Sequence, residues 1–115
     1  YQLETRIKNA KLSKLDAEFA LRQSQLQLRK EIQQAYTDAL ASFENYKSRK
    51  QALEAQEENF KYVQQKYDVG MISSIDYNIA RNNLNKAKSD LLQAKYQFIF
   101  NIKVLDFYKG NNITL

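Results

Sequence analysis

The chain has 115 residues, with no proline, histidine, cysteine or tryptophan, and glycine only at positions 70 and 110. Without histidine and cysteine it lacks the residues most used as nucleophiles, as proton shuttles near neutral pH and as soft-metal ligands, so no catalysis, metal site or cofactor is expected. Its formal charge of +5 comes from 18 basic and 13 acidic residues interleaved along the whole length, the pattern of a solvated helix surface rather than a nucleic-acid patch.

Glycine and proline punctuate chain reversals, and two glycines leave room for one internal turn. The sequence therefore predicts an all-α fold, a long antiparallel coiled-coil helical hairpin with unequal arms. A long first helix is expected over 1–69, a tip turn over 70–73, a second helix over 74–109 and a tail over 110–115.

The first 33 residues carry two apolar stripes, Leu3, Ile7, Ala10, Ala17, Leu21 and Leu28 on one, and Leu12, Leu15, Phe19 and Leu26 on the other. The second helix is too short to reach them, and a helix with such stripes does not stand alone in water. This arm is expected to need other helices, and the fragment to self-associate. Glu4/Lys8, Glu18/Arg22 and Glu57/Lys61 stand at the i,i+4 spacing with the acid first, the favourable order on a helix.

From Ile32 a heptad seam begins, with Ile32, Ala39, Tyr46, Leu53, Phe60 and Tyr67 recurring every seven residues. Tyr36 and Phe43 are assigned to the alternating line, which Lys50 and Glu57 interrupt. Gly70 is suited to the left-handed position that ends the helix. Ser73 can cap the next one, with Asp76 as the acidic half of a capping-box-like pair and Ile72 and Tyr77 at the positions of a hydrophobic staple.

Beyond the turn Tyr77, Ala80, Leu84, Ala87, Leu91, Ala94 and Phe98 step by three and four. A reversal near residue 72 pairs Phe60 with Leu84, Leu53 with Leu91 and Tyr46 with Phe98. The end of the second helix, from Tyr96 through Phe98, Ile99, Phe100, Ile102, Val104, Leu105, Phe107 and Tyr108, is apolar around most of its circumference and is expected to be packed on more than one side. Gly110 terminates it.

The segment Tyr67-Asp68-Val69-Gly70-Met71-Ile72-Ser73-Ser74-Ile75-Asp76-Tyr77, followed by Ala80, Leu84, Ala87 and Ala94, resembles the tip and return helix of TolC-like outer-membrane efflux proteins. Arg6-Ile7-Lys8-Asn9-Ala10 is similar to the start of the long helix that leaves their outer-membrane barrel. Leu105-Asp106-Phe107-Tyr108-Lys109-Gly110 is similar to their C-terminal end, which would make Leu115 the natural C-terminus.

The resemblance implies the second of two periplasmic hairpins in each protomer of a homotrimer, a non-enzymatic efflux or export conduit docked at its tips to a periplasmic adaptor and an inner-membrane pump. It implies that Tyr67, Asp68, Gly70, Met71, Ser73, Ser74, Asp76 and Tyr77 make the tip, adaptor or gate contacts. Some members carry an arginine two places after the tip glycine as part of a charged lock. Here that place holds Ile72.

The periplasmic portion of a Gram-negative outer-membrane protein is the location so implied, because a cysteine-free chain by itself suits cytosol and periplasm equally. No run approaches the ~18 apolar residues of a transmembrane helix, and the N-terminus lacks the layout of a signal peptide. The barrel and any export signal are therefore expected in a longer parent sequence. The alternatives are the hairpin of a periplasmic adaptor, which would continue into lipoyl-like β segments on both sides, and a cytosolic antiparallel coiled-coil scaffold, which export signals in the parent gene would exclude.

Glu57 and Glu58 are neighbours that point about 100° apart on a helix and cannot share a substrate atom. Lys47, Arg49 and Lys50 form an exposed face, with no glycine-rich loop to make a phosphate site. The fourteen tyrosines and phenylalanines fall mostly on the seam or at the apolar end, so core packing accounts for them better than base stacking, and no nucleic-acid partner is expected.

Overall fold

A computed structural model describes residues 1–110 of the chain. They form two helices, α1 (Gln2–Asp68) and α2 (Ser74–Tyr108). The all-α coiled-coil hairpin expected from the sequence is the fold found. The end of the expected tail, residues 111–115 with Leu115 among them, lies outside the described residues. Two units are distinguished, Tyr1–Gln34 and Ala35–Leu115.

The first unit is helical and every one of its residues is exposed. Both apolar stripes face solvent, Leu3, Leu15 and Phe19 among them at 61–70% exposure. The three i,i+4 acid-base pairs noted in the sequence do not close to salt-bridge distance. An ion pair on the surface of α1 is instead Glu44 with Lys47, at 4.0 Å. Exposed pairs of long side chains gain too little in water to hold one geometry.

The second unit is the hairpin. On α2 the half-buried or buried positions include Tyr77, Ala80, Leu84, Ala87, Leu91, Ala94 and Phe98, the seam read from the sequence. On α1 they are Ala35, Ala39, Ser42, Tyr46, Leu53, Gln56, Phe60, Val63 and Lys66. The line through Ala39, Tyr46, Leu53 and Phe60 is as expected, but the line alternating with it lies one residue earlier than assigned.

Ala35, Ser42, Gln56 and Val63 occupy that line, while Tyr36 and Phe43 are 62% and 38% exposed. Its small members let the helices approach closely, and a close approach pushes bulky rings to the flanks of the seam. Phe43 does so and still meets Phe98, ring centroids 5.3 Å apart. Ile32, the first seam residue expected, is exposed, so burial begins at Ala35.

Polar bonds cross the seam as well. Arg49 Nη1 donates to Asp90 Oδ2 at 3.4 Å, and Asn101 Nδ2 to the Asp38 carbonyl at 3.2 Å. Arg49 is thus not only part of an exposed basic face. The buried Ser42 hydroxyl donates to the carbonyl of Ala39 within its own helix at 2.9 Å, so its burial leaves no polar group unpaired.

The chain reverses through hydrogen bonds to its own backbone. Gly70 stands at φ +78°. Its N–H donates to the Tyr67 carbonyl at 3.0 Å, and that of Met71 to the Lys66 carbonyl at 2.9 Å, the two bonds of a Schellman motif. The Ser73 hydroxyl then caps α2 by accepting from the Asp76 N–H at 3.3 Å. The reciprocal bond of a capping box is not made; the Asp76 carboxylate stands in the first turn, where the helix dipole favours negative charge.

Leu84, buried on the seam, and Leu92, 53% exposed on the same helix, separate packing from helix propensity. Leu84→Ala is expected to cost about 2–3 kcal/mol in urea denaturation followed by circular dichroism. Leu92→Ala is expected to stay within ~0.5 kcal/mol. At the turn, a Cβ on Gly70 meets no atom within 4 Å, so Gly70→Ala is expected to cost about 1–2 kcal/mol through its positive φ alone.

Candidate functional site

The turn brings Tyr67, Asp68, Gly70, Met71, Ser73, Ser74, Asp76 and Tyr77 together at the closed end of the hairpin. Their environments differ. Tyr67 is the penultimate residue of α1, and Tyr77 sits in the first turn of α2. Their rings stack with centroids 4.4 Å apart and planes 20° from parallel. Phe60 packs against Tyr77 as well, at 5.6 Å and 40°.

Tyr77 is therefore flanked by two rings of α1 that stand seven residues apart on one face. Aromatic pairs in such geometries contribute about 0.5–1.5 kcal/mol beyond their buried area. The cluster ties the turn to the seam. Ile72 is half-buried beside it, at the staple position opposite Tyr77 in sequence.

Asp68, Gly70, Met71, Ser73, Ser74 and Asp76 are exposed, Met71 at 72%. Ser73 and Gly70 are already engaged in making the turn, by the cap and the Schellman bonds. Among the candidate residues this leaves the side chains of Met71, Asp68, Ser74 and Asp76 to meet a partner.

Two further apolar residues share this surface and were not among the candidates. Val69 and Ile75 are each 70% exposed. Both fall outside the seam positions, and an apolar residue placed off the seam beside a tight turn is the signal that would have found them. With Met71 they make three exposed apolar residues at the turn, and the exposed Asp68 and Asp76 are next to Val69 and Ile75 in sequence.

At the other end of α2, Tyr96, Phe100, Val104 and Phe107 line a surface groove of about 570 Å³. The expectation that this end is packed on more than one side is not met within the chain: Tyr96, Phe100 and Phe107 are 60–63% exposed. One side of α2 faces α1, and among the described residues there is no further helix to cover the other. The Lys47 ammonium, 5.5 Å from the Phe43 ring, and the Lys66 ammonium, 4.4 Å from that of Tyr62, use aromatic faces beside the seam as local cation contacts.

Among the described residues no group of acidic side chains is placed to hold a metal ion, and no helix is long and apolar enough to cross a membrane. The candidate site offers exposed apolar side chains on a hydrogen-bonded turn, an arrangement suited to binding.

Comparison with known proteins adds the family. The sequence pattern of the outer membrane efflux proteins matches residues 2–107, taking in both helices and the turn. Neither the curated proteins nor the solved structures give a significant match. A match over nearly the whole chain, to a family of transport proteins rather than enzymes, accords with the motifs at the tip and at the two ends: the chain belongs to the outer membrane efflux protein family.

Proposed function

We propose that the chain is a periplasmic tunnel segment of a trimeric outer-membrane efflux or export channel, whose tip contacts a periplasmic adaptor and gates the conduit. The observation that carries this reading is the construction of the tip. A turn fixed by Gly70, capped by Ser73 and buttressed by the Phe60, Tyr77 and Tyr67 rings holds Val69, Met71 and Ile75 out in water.

Exposed apolar side chains on a stiff support suit docking, because little conformational freedom remains to be lost on binding. Of the candidate contacts, Met71 with Asp68, Ser74 and Asp76 would face the adaptor. Gly70 and Ser73 would act through the shape of the turn, and Tyr67 and Tyr77 through the ring stack that supports it. An arginine lock at the place of Ile72 forms no part of this gate.

The exposed stripes of residues 1–34 and the apolar end of α2 support the same assembly. Neighbouring helices of the trimer would cover them, with an inner-membrane pump completing the route beyond the adaptor. The protein would act without chemistry of its own, as wall and gate.

Two measurements test the proposal. In the parent channel Met71→Asp is expected to weaken adaptor binding about tenfold or more while leaving the trimer intact. Unchanged binding and export would remove the tip from the contact. The isolated chain is expected to self-associate with rising concentration in sedimentation, and Leu15→Glu with Phe19→Glu to weaken that association. A stable monomer whose first 34 residues remain fully helical would contradict the need for neighbours.

A further inference from the structure

The stacked tyrosines at the turn have a chemistry that docking does not use. We propose that Tyr67 and Tyr77 are a site of oxidative cross-linking, joined carbon to carbon across the hairpin when a one-electron oxidant acts on their phenols. The inference stands on the ring geometry and is independent of the conduit reading.

Coupling of two phenoxyl radicals forms a bond between ring carbons ortho to the oxygens, and those carbons meet through their π faces. Rings with centroids 4.4 Å apart and planes 20° from parallel are already face to face. Tyr67 is 39% exposed, which gives an oxidant access to one phenol, while Tyr77 is half-buried between Tyr67 and Phe60. Phe60 has no phenolic hydrogen to lose, so it holds Tyr77 in place without competing for it.

The chemistry balances without a further reactant. Each phenol gives one electron to the oxidant and one proton to water, and the two radicals form one carbon–carbon bond. The hydrogens displaced from the joined carbons then move to the phenolic oxygens and restore both rings. The net change is the loss of two hydrogen atoms from the pair.

The site is selective. The chain has eight tyrosines. Tyr46 stacks on Phe98, Tyr108 meets Phe107 edge-on, and Tyr62 lies under the Lys66 ammonium. Among the described residues, Tyr67 and Tyr77 form the ring contact in which both partners are tyrosines. The bond would close the turn covalently, fixing the end of α1 to the start of α2.

The test is oxidation of the full chain at low concentration, with a peroxidase and hydrogen peroxide as the one-electron system, followed by trypsin. Cleavage after Lys66 and Arg81 releases residues 67–81 as one peptide holding both tyrosines. The expected product is that peptide lighter by two hydrogens and carrying the blue fluorescence of dityrosine. Oxidation of Met71, which is exposed in the same peptide, adds an oxygen and is told apart by mass.

Tyr77→Phe keeps the ring stack and removes the phenol, and Tyr67→Phe does the same from the other side. Both are expected to remain folded by circular dichroism and to lose the product. The proposal is overturned if peptide 67–81 stays uncoupled while free tyrosine in the same mixture is dimerised. It is equally overturned if the coupled tyrosines are the other exposed ones, Tyr1, Tyr36, Tyr62 or Tyr96, joined between molecules.

Discussion

A reversal at one fixed place gives every residue of the hairpin a spatial address. Gly70 can hold φ +78° without strain, and the two backbone bonds around it leave the chain one direction in which to return. From there the meeting of Tyr67 with Tyr77, of Arg49 with Asp90 and of Tyr46 with Phe98 follows by counting along two antiparallel helices. A one-residue change in the turn would rotate every later position of α2 by about 100° and take its seam away from α1.

What holds the two helices together is less usual for a protein interior. Among the described residues the buried ones are Ala35, Ala39, Ser42, Ala80, Leu84 and Ala94, mostly small, and no large side chain is fully buried. Tyr46, Phe60, Tyr77 and Phe98 lie on the seam only half-buried, while Tyr36 and Phe43 stand on its flanks and remain open on their outer sides. Arg49, Ser42 and Gln56 on one seam line add specificity of register rather than apolar burial, as polar residues in coiled coils do. A hairpin built in this way presents most of its large apolar side chains outward.

How far the sequence disclosed this differs between elements. The seam of α2 was legible because its large and small residues alternate strictly at steps of three and four. The tip was legible because caps are local: Gly70, Ser73 and Asp76 act on backbone groups within a few residues. On α1 the second seam line lies one residue earlier than hydrophobicity indicates, since Tyr36 and Phe43 outweigh Ala35 and Ser42 in any count of hydrophobicity, although close helix approach selects the small side chains. The Arg49–Asp90 pair was not legible, because its partners are 41 residues apart and each alone looks like surface charge. Val69 and Ile75 escape a local reading for the opposite reason: patterning registers residues that fit a seam, and these two do not fit one.

The separation of contacting residues along the chain also orders events in time. It rises from ten positions for Tyr67 and Tyr77, through 41 for Arg49 and Asp90, to 63 for Asn101 and Asp38. The entropy lost in closing a loop grows with its length, so the contacts nearest the turn form most cheaply and each one shortens the loop left for the next. The hairpin is a zipper with its slider at Gly70. It closes upward from the stacked tyrosines, and thermal opening starts at its far end, where Asp38 meets Asn101, leaving the tip as the last part to come apart.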